Sequence, residues 1–194
     1  MRYAMASLLV LLATALSRPC PAQAQEAVPT QHVMDSLAVD ALWSAADELF
    51  HQGDHQRVIL LHLTTIRLDP HFVEAYLDAA YLLWSAERHE EAVALYHRAA
   101  QANPTNAQIW AELGYYYMVN RRDYPKAVAA YSEAVKRPHD DYEIDKALAH
   151  AYEKAGHPET ALAIWSDLHR RYPKDGTILH NLNRLRSTLG LPNV

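Results

Sequence analysis

Apolar residues recur along the chain at helical spacing, and they stop at regular intervals. Tyr76, Ala79, Ala80 and Leu83 fall at i, i+3, i+4 and i+7, which is one face of a helix. A polar break follows at Glu87-Arg88-His89, and a second stripe then runs through Ala92, Leu95, Tyr96, Ala99 and Ala100. Asn103-Pro104 ends it, because a residue before proline is pushed out of the α region. The double stripe returns as Trp110, Leu113, Gly114 and Tyr117, then Ala127, Tyr131 and Ala134. It returns again as Leu148, Ala149 and Tyr152, then Ala161, Trp165 and Leu168. The pattern predicts an all-α chain built from helix pairs.

The pairs have a fixed period. Pro70, Pro104, Pro138 and Pro173 are spaced by 34, 34 and 35 residues. His62, Tyr96, Tyr131 and Trp165 are spaced by 34, 35 and 34. Val58, Ala92, Ala127 and Ala161 stand four places before these rings, and Thr65, Ala99, Ala134 and Leu168 three places after. Two residue classes sharing one period mark a true repeat. The large–small alternation has a packing reason: where two helix axes approach closely, one side must be small and its neighbour bulky. Ala46, Ala80, Gly114 and Ala149 are the small contacts of the first helices. Ala92, Ala127 and Ala161 are those of the second helices.

With these residues in place the chain resembles the tetratricopeptide repeat (TPR), a 34-residue helix–turn–helix unit with a W-x2-L-G-x2-Y … A-x3-F … P pattern. Trp110-Ala111-Glu112-Leu113-Gly114-Tyr115-Tyr116-Tyr117 fills every slot of the first half, although the turn Asn120-Arg121-Arg122-Asp123 carries one extra residue. The first unit matches least, with Leu42, Ala45, Ala46 and Leu49 where Trp, Leu, Gly and Tyr are expected. Gly53 and Gly156 sit in the inter-helix turns of the first and fourth units. The resemblance implies a right-handed α-solenoid of about four repeats, at about 37–70, 71–104, 105–138 and 139–174, with a capping helix and tail over 175–194. The cap is predicted to start at Asp175 as N-cap and to place Leu179, Leu182, Leu185 and Leu189 on one face. At the other end Gln31 to Phe50 is expected as one long first helix, with residues 25–36 holding a tail and its start.

The first two dozen residues read differently. Arg2 is followed by a nine-residue apolar run, Leu8 to Leu16, and Ala22-Gln23-Ala24 is an A-x-A cleavage site. The run is too short for a bilayer, which needs about 20 apolar residues. Residues 1–24 are therefore expected to be a secretory signal peptide, with an exported, periplasmic product. Arg18 and Pro19 before Cys20 argue against lipid attachment there. Cys20, the only cysteine, would leave with the signal.

The resemblance also implies a concave groove lined by first-helix positions offset from the packing stripe. These are Asp40, Trp43, Asp47, Phe50 and His51, then Glu74, Leu77, Tyr81, Trp84 and Ser85. The third unit supplies Gln108, Ala111, Tyr115, Met118 and Val119, and the fourth Glu143, Lys146, His150, Glu153 and Lys154. Large apolar side chains off the packing stripe are typical of binding surfaces. The candidate partner-binding set is Trp43, Phe50, Leu77, Tyr81, Trp84, Tyr115, Met118, Lys146 and His150: an aromatic trough with a mixed-charge exit. A known TPR mode grips a C-terminal carboxylate with Lys and Asn. Asp47, Tyr81, Tyr115 and His150 stand in its asparagine slots, which excludes that mode.

Composition narrows the chemistry. The 194 residues carry 18 basic and 23 acidic side chains, a net charge of −5, which disfavours nucleic acid as a partner. Five glycines leave little for phosphate-binding loops, and one cysteine excludes a CxxC site. His51 and His55 are four apart, but Gly53 interrupts the helix between them, so they do not form a metal pair. His139-Asp140-Asp141 is expected to cap a helix, and His169-Arg170-Arg171 to complement a helix C-terminus. No catalytic motif is present, and no cofactor or metal is expected. The sequence thus points to an exported, non-enzymatic scaffold or adaptor. It would bind a protein or peptide segment in its groove, in bacterial envelope assembly. The alternatives are a self-associating structural subunit, and a histidine-based binder of metal or a small ligand.

Overall fold

Short polar residues open most of the helices. The side chains of Asp54, Asn106, Asp123, Asp141 and Asp175 each accept a hydrogen bond from a backbone N–H of the first turn that follows. Such caps satisfy donors that a helix start leaves free, at about 1 kcal/mol each. In the computed structural model the described residues are 31–194, so the candidate signal peptide and its cleavage site lie outside them. The described residues form nine α-helices and no strand. They are α1 Gln31–His51, α2 His55–Leu68, α3 Val73–Ser85, α4 His89–Ala102, α5 Ala107–Tyr115, α6 Tyr124–Val135, α7 Tyr142–Lys154, α8 Pro158–Arg171 and α9 Gly176–Thr188. Each packs on its neighbours in the chain, and α3 also touches α5. The result is an α-solenoid in which odd-numbered helices line up as one layer and even-numbered helices as the other.

The interlock of large and small residues holds each pair. Ala46, Ala80, Gly114 and Ala149 are all buried. A Cβ on Gly114 would stand 2.8 Å from the Tyr131 ring, inside any real contact distance. Tyr96 shares the main core cluster with Ala80, and Trp165 shares the C-terminal cluster with Ala149. In the second to fourth repeats the slot is thus filled by a large buried ring, and Trp165 is wholly buried.

The turn inside each of the four helix pairs contains a left-handed residue in one register: Gly53, Glu87, Arg122 and Gly156. Glycine adopts that conformation freely, whereas an L side chain there costs about 1–2 kcal/mol. In three of these turns a backbone N–H donates to a carbonyl five residues earlier: Asp54 to Leu49, Arg88 to Leu83 and His157 to Tyr152. In the third repeat the bond spans six, from Asp123 to Tyr117. The extra residue there does not lengthen a loop. It widens the helix end into a π-helical turn, Tyr116–Arg121, so Asn120 and Arg121, expected in the turn, lie inside the helix.

The cap is α9. Its buried stripe is Ile178, Leu182 and Leu185, with Leu189 packed against it. Leu179, expected on that face, is only half-buried. Positions 178, 182, 185 and 189 form a tighter helical stripe than one that includes 179.

Gly114→Ala forces a methyl group into the Tyr131 ring. Although alanine favours helix by about 1 kcal/mol, overpacking of this kind costs about 1–3 kcal/mol. The expected net result is a lower midpoint of thermal unfolding, read by circular dichroism. An unchanged or raised midpoint would show that the ring gives way freely.

Candidate functional site

Trp43, Asp47 and Phe50 stand at i, i+4 and i+7 on α1 and share one face. Asp78 and Tyr81 share a face of α3 in the same way. Helix α2 packs on both α1 and α3. The two faces therefore front a pocket of about 320 Å³ whose floor α2 supplies through Val58 and His62. Phe50 and Tyr81 are 47% and 52% exposed, large for such rings. Trp43 is held from behind, its ring 5.3 Å from His62 and 5.1 Å from Phe72.

His62 is 4% exposed. It occupies the slot that Tyr96, Tyr131 and Trp165 fill in the later repeats, and imidazole is the smallest of these rings. The pocket opens beside it. Burial pushes the His62 pKa down to about 4, so the ring is neutral near pH 7. Its Nδ1 is buried and finds no hydrogen-bond partner among the described residues. An unmet buried polar atom costs about 1–3 kcal/mol. Its Nε2 is 3.9 Å from Asp78 Oδ2, beyond hydrogen-bonding range. Burial, and then the nearby Glu74, raise the Asp78 carboxyl above its usual range. The lining therefore holds two carboxylates, Asp47 and Asp78, and, among the described residues, no lysine or arginine.

The candidate residues are brought together only in part. Trp43, Phe50 and Tyr81 meet at the pocket. Trp84 stands edge-on to Tyr81 at 4.8 Å and leans on Tyr116 at 6.3 Å, so it braces Tyr81 from the core side. Leu77 is half-buried against the main core. Tyr115 is 50% exposed, one repeat further along. Met118 lies in the π-helical turn, packed beside the cluster of Ala127 and Tyr131. At the C-terminal end Lys146 bonds Glu143 at 2.8 Å and lies over the Tyr142 ring. His150 stands edge-on to Trp165 at 5.0 Å, and burial lowers its pKa. Glu153 accepts hydrogen bonds from Trp165 Nε1 at 2.9 Å and from Arg184 at 2.6 Å. That carboxylate ties α7 to α8 and α9. The aromatic side of the groove is thus an open pocket at the N-terminal end, and at the expected mixed-charge exit the charged groups of α7 bond within the chain. Sequence reasoning read His62 as a packing marker and passed over Asp78. The available signal was that His62 differs from the tyrosines and tryptophan in its slot by being a small, titratable ring.

Among the described residues no group of three or more His, Cys, Asp or Glu is placed to hold a metal. Among them, too, no helix is long and apolar enough to cross a membrane.

Two tetratricopeptide repeat profiles match the chain, one over residues 63–107 and 77–143 and the other over 143–185. The chain belongs to the tetratricopeptide repeat family. The helix pair that carries the pocket begins before the matched stretch. Solved structures share the fold. PilF of Pseudomonas aeruginosa is 15% identical, with a TM-score of 0.60 over 80% of this chain and 70% of its own. TTC0263 of Thermus thermophilus, described as a thermophilic TPR protein, is 25% identical, with a TM-score of 0.54 over 79% and 82%. YrrB, described as a TPR protein with an unusual peptide-binding site, is 19% identical, with a TM-score of 0.57 over 75% and 74%. No curated protein matches the chain.

The depressed pKa of His62 links stability to pH. Its folded value, about 4, lies below the unfolded value of 6.5. The unfolded chain binds the proton more tightly, so the His62 contribution to stability is complete above pH 6.5 and declines as pH drops toward 4. The loss is up to about 3 kcal/mol at about 1.4 kcal/mol per pKa unit. Denaturant unfolding between pH 7.5 and 4.5 is expected to show this slope in the wild type and a flatter profile in His62→Phe. Equal slopes in the two proteins would remove His62 as the source.

Proposed function

We propose that this protein is an exported, non-enzymatic scaffold. It holds a segment of a partner protein in the groove fronted by α1 and α3, within the bacterial envelope, where it serves the assembly of a larger complex. The observation that carries the reading is the pocket itself. Three large aromatic side chains meet there, two of them half exposed, at a place where the repeat pattern leaves the first helices unpaired on their outer side. Aromatic clusters of this kind supply most of the energy of protein interfaces. The peptide-binding site described for YrrB supports the reading, since that protein has the same fold. Export rests on the apolar run Leu8 to Leu16 and on Ala22-Gln23-Ala24.

Phe50→Ala/Tyr81→Ala removes two exposed rings and leaves the buried core untouched. Affinity capture from an envelope fraction with the wild type and the double variant is expected to lose at least one partner in the variant. An identical set of captured proteins would overturn the groove assignment. Export has its own measurement. The full chain expressed in a diderm bacterium should be recovered from the periplasm with Gln25 as its first residue by N-terminal sequencing. Recovery in the cytoplasm with residues 1–24 intact would end that part of the proposal.

A further inference from the structure

The pocket between α1 and α3 is chemically one-sided. Its apolar walls are the rings of Trp43, Phe50 and Tyr81, and its charged groups are carboxylates. Asp47 and Asp78 have side chains 73% and 56% exposed, so both are open to an incoming group. His62 brings no charge, being neutral above about pH 4. Two histidines stand at the rim: His51, whose Nδ1 is 3.7 Å from Asp47 Oδ1 and 2.8 Å from the Asp47 backbone carbonyl, and His55, whose ring stacks on one face of Phe50 at 5.5 Å and leaves its other side to the pocket. Among the described residues no lysine or arginine pairs with Asp78; the neutral His62 ring is its nearest basic group, at 3.9 Å. Its raised pKa is that of a carboxylate partly withdrawn from water without a counter-charge.

At about 320 Å³ the space is near the lower limit for a ligand site. It suits one side chain better than a whole small molecule. Aromatic faces flanked by carboxylates that have no lysine or arginine partner attract a cation that can also stack. Among side chains a guanidinium does both: it lies flat on rings and forks its N–H donors onto carboxylate oxygens.

We propose that this pocket is an arginine anchor: it receives an arginine side chain from the partner segment, stacked among Trp43, Phe50 and Tyr81 and paired with Asp47 and Asp78. The inference rests on the groove reading for its biological setting, and it names the chemistry of the partner. An ammonium would gain the charge but not the planar stacking, and an apolar side chain would cover the two carboxylates without giving them a partner.

The test is an amide-resolved NMR titration of the protein with the blocked tripeptide acetyl-Gly-Arg-Gly-amide. The control is the same peptide with citrulline, which keeps the shape and removes the charge. Saturable shifts are expected at residues 43–50 and 78–82, with citrulline at least tenfold weaker. Asp47→Asn and Asp78→Asn should each weaken the arginine peptide severalfold. Equal binding of the two peptides, or full affinity in the double Asn variant, would overturn the anchor. Capture from the envelope fraction separates the two levels. If Phe50→Ala/Tyr81→Ala loses a partner while the Asn pair changes neither capture nor titration, the groove stands and the anchor falls. If the arginine peptide binds the pocket but capture ignores the aromatic variant, the anchor stands and the groove assignment falls.

Discussion

In the third repeat the Tyr131 ring lies where a side chain on Gly114 would have to begin. That close approach sets the distance and crossing of α5 and α6. Ala80 and Tyr96 share one core cluster, and Ala149 and Trp165 another, so the same pairing of small residue and ring is buried in the second and fourth repeats. Dense packing leaves such a contact little room to vary. Because the same ring-on-small-residue contact recurs at nearly the same period, each pair presents its outer helix at a similar height. A row of first helices with exposed outer faces follows from it. The groove is a by-product of a packing rule, and the pocket is a local departure from it.

That departure is His62. A ring slot that elsewhere takes tyrosine or tryptophan here takes a smaller, polar ring. The His62 ring, with Val58, forms the floor of the pocket between α1 and α3. The exchange costs stability twice, through a buried nitrogen without a partner among the described residues and through a proton that the folded state binds poorly. Costs of this kind persist where a site needs the space. The opposite end of the array shows the contrast. There Glu153 meets Trp165 and Arg184, and Lys146 meets Glu143, so polar groups spend their bonding within the chain. One end is satisfied internally; at the other, among the described residues, Asp47 has only a histidine beside it and Asp78 only the neutral His62 ring.

Much of the fold was legible in the amino-acid order alone, for a physical reason: repeat proteins write nearest-neighbour contacts into a fixed sequence period. The proline spacing, the ring slot and its small partners marked the helix pairs, and apolar periodicity marked the closing helix and the first long helix. The aspartate caps at 141 and 175 were readable because an N-cap is a local interaction. The left-handed residues were half readable. Gly53 and Gly156 announce themselves, while Glu87 and Arg122 adopt the same conformation with no glycine to mark it. The inserted residue of the third repeat was visible as a 35-residue spacing. That it becomes a π-helical turn, with Met118 drawn against the Ala127 and Tyr131 cluster, was not.

The sequence by itself determined the architecture and a set of outward-facing positions, because both follow from periodicity along one helix face. Which of those positions form a site was decided only in three dimensions. Trp43, Phe50 and Tyr81 converge because α2 lies beneath both α1 and α3. Trp84 and Leu77 occupy equivalent outward slots yet are held by the core, and Lys146 and His150 are held by Glu143, Glu153 and Trp165. A helical period fixes the direction in which a side chain leaves its own axis. The neighbouring helix decides whether it meets water, a ring or a carboxylate.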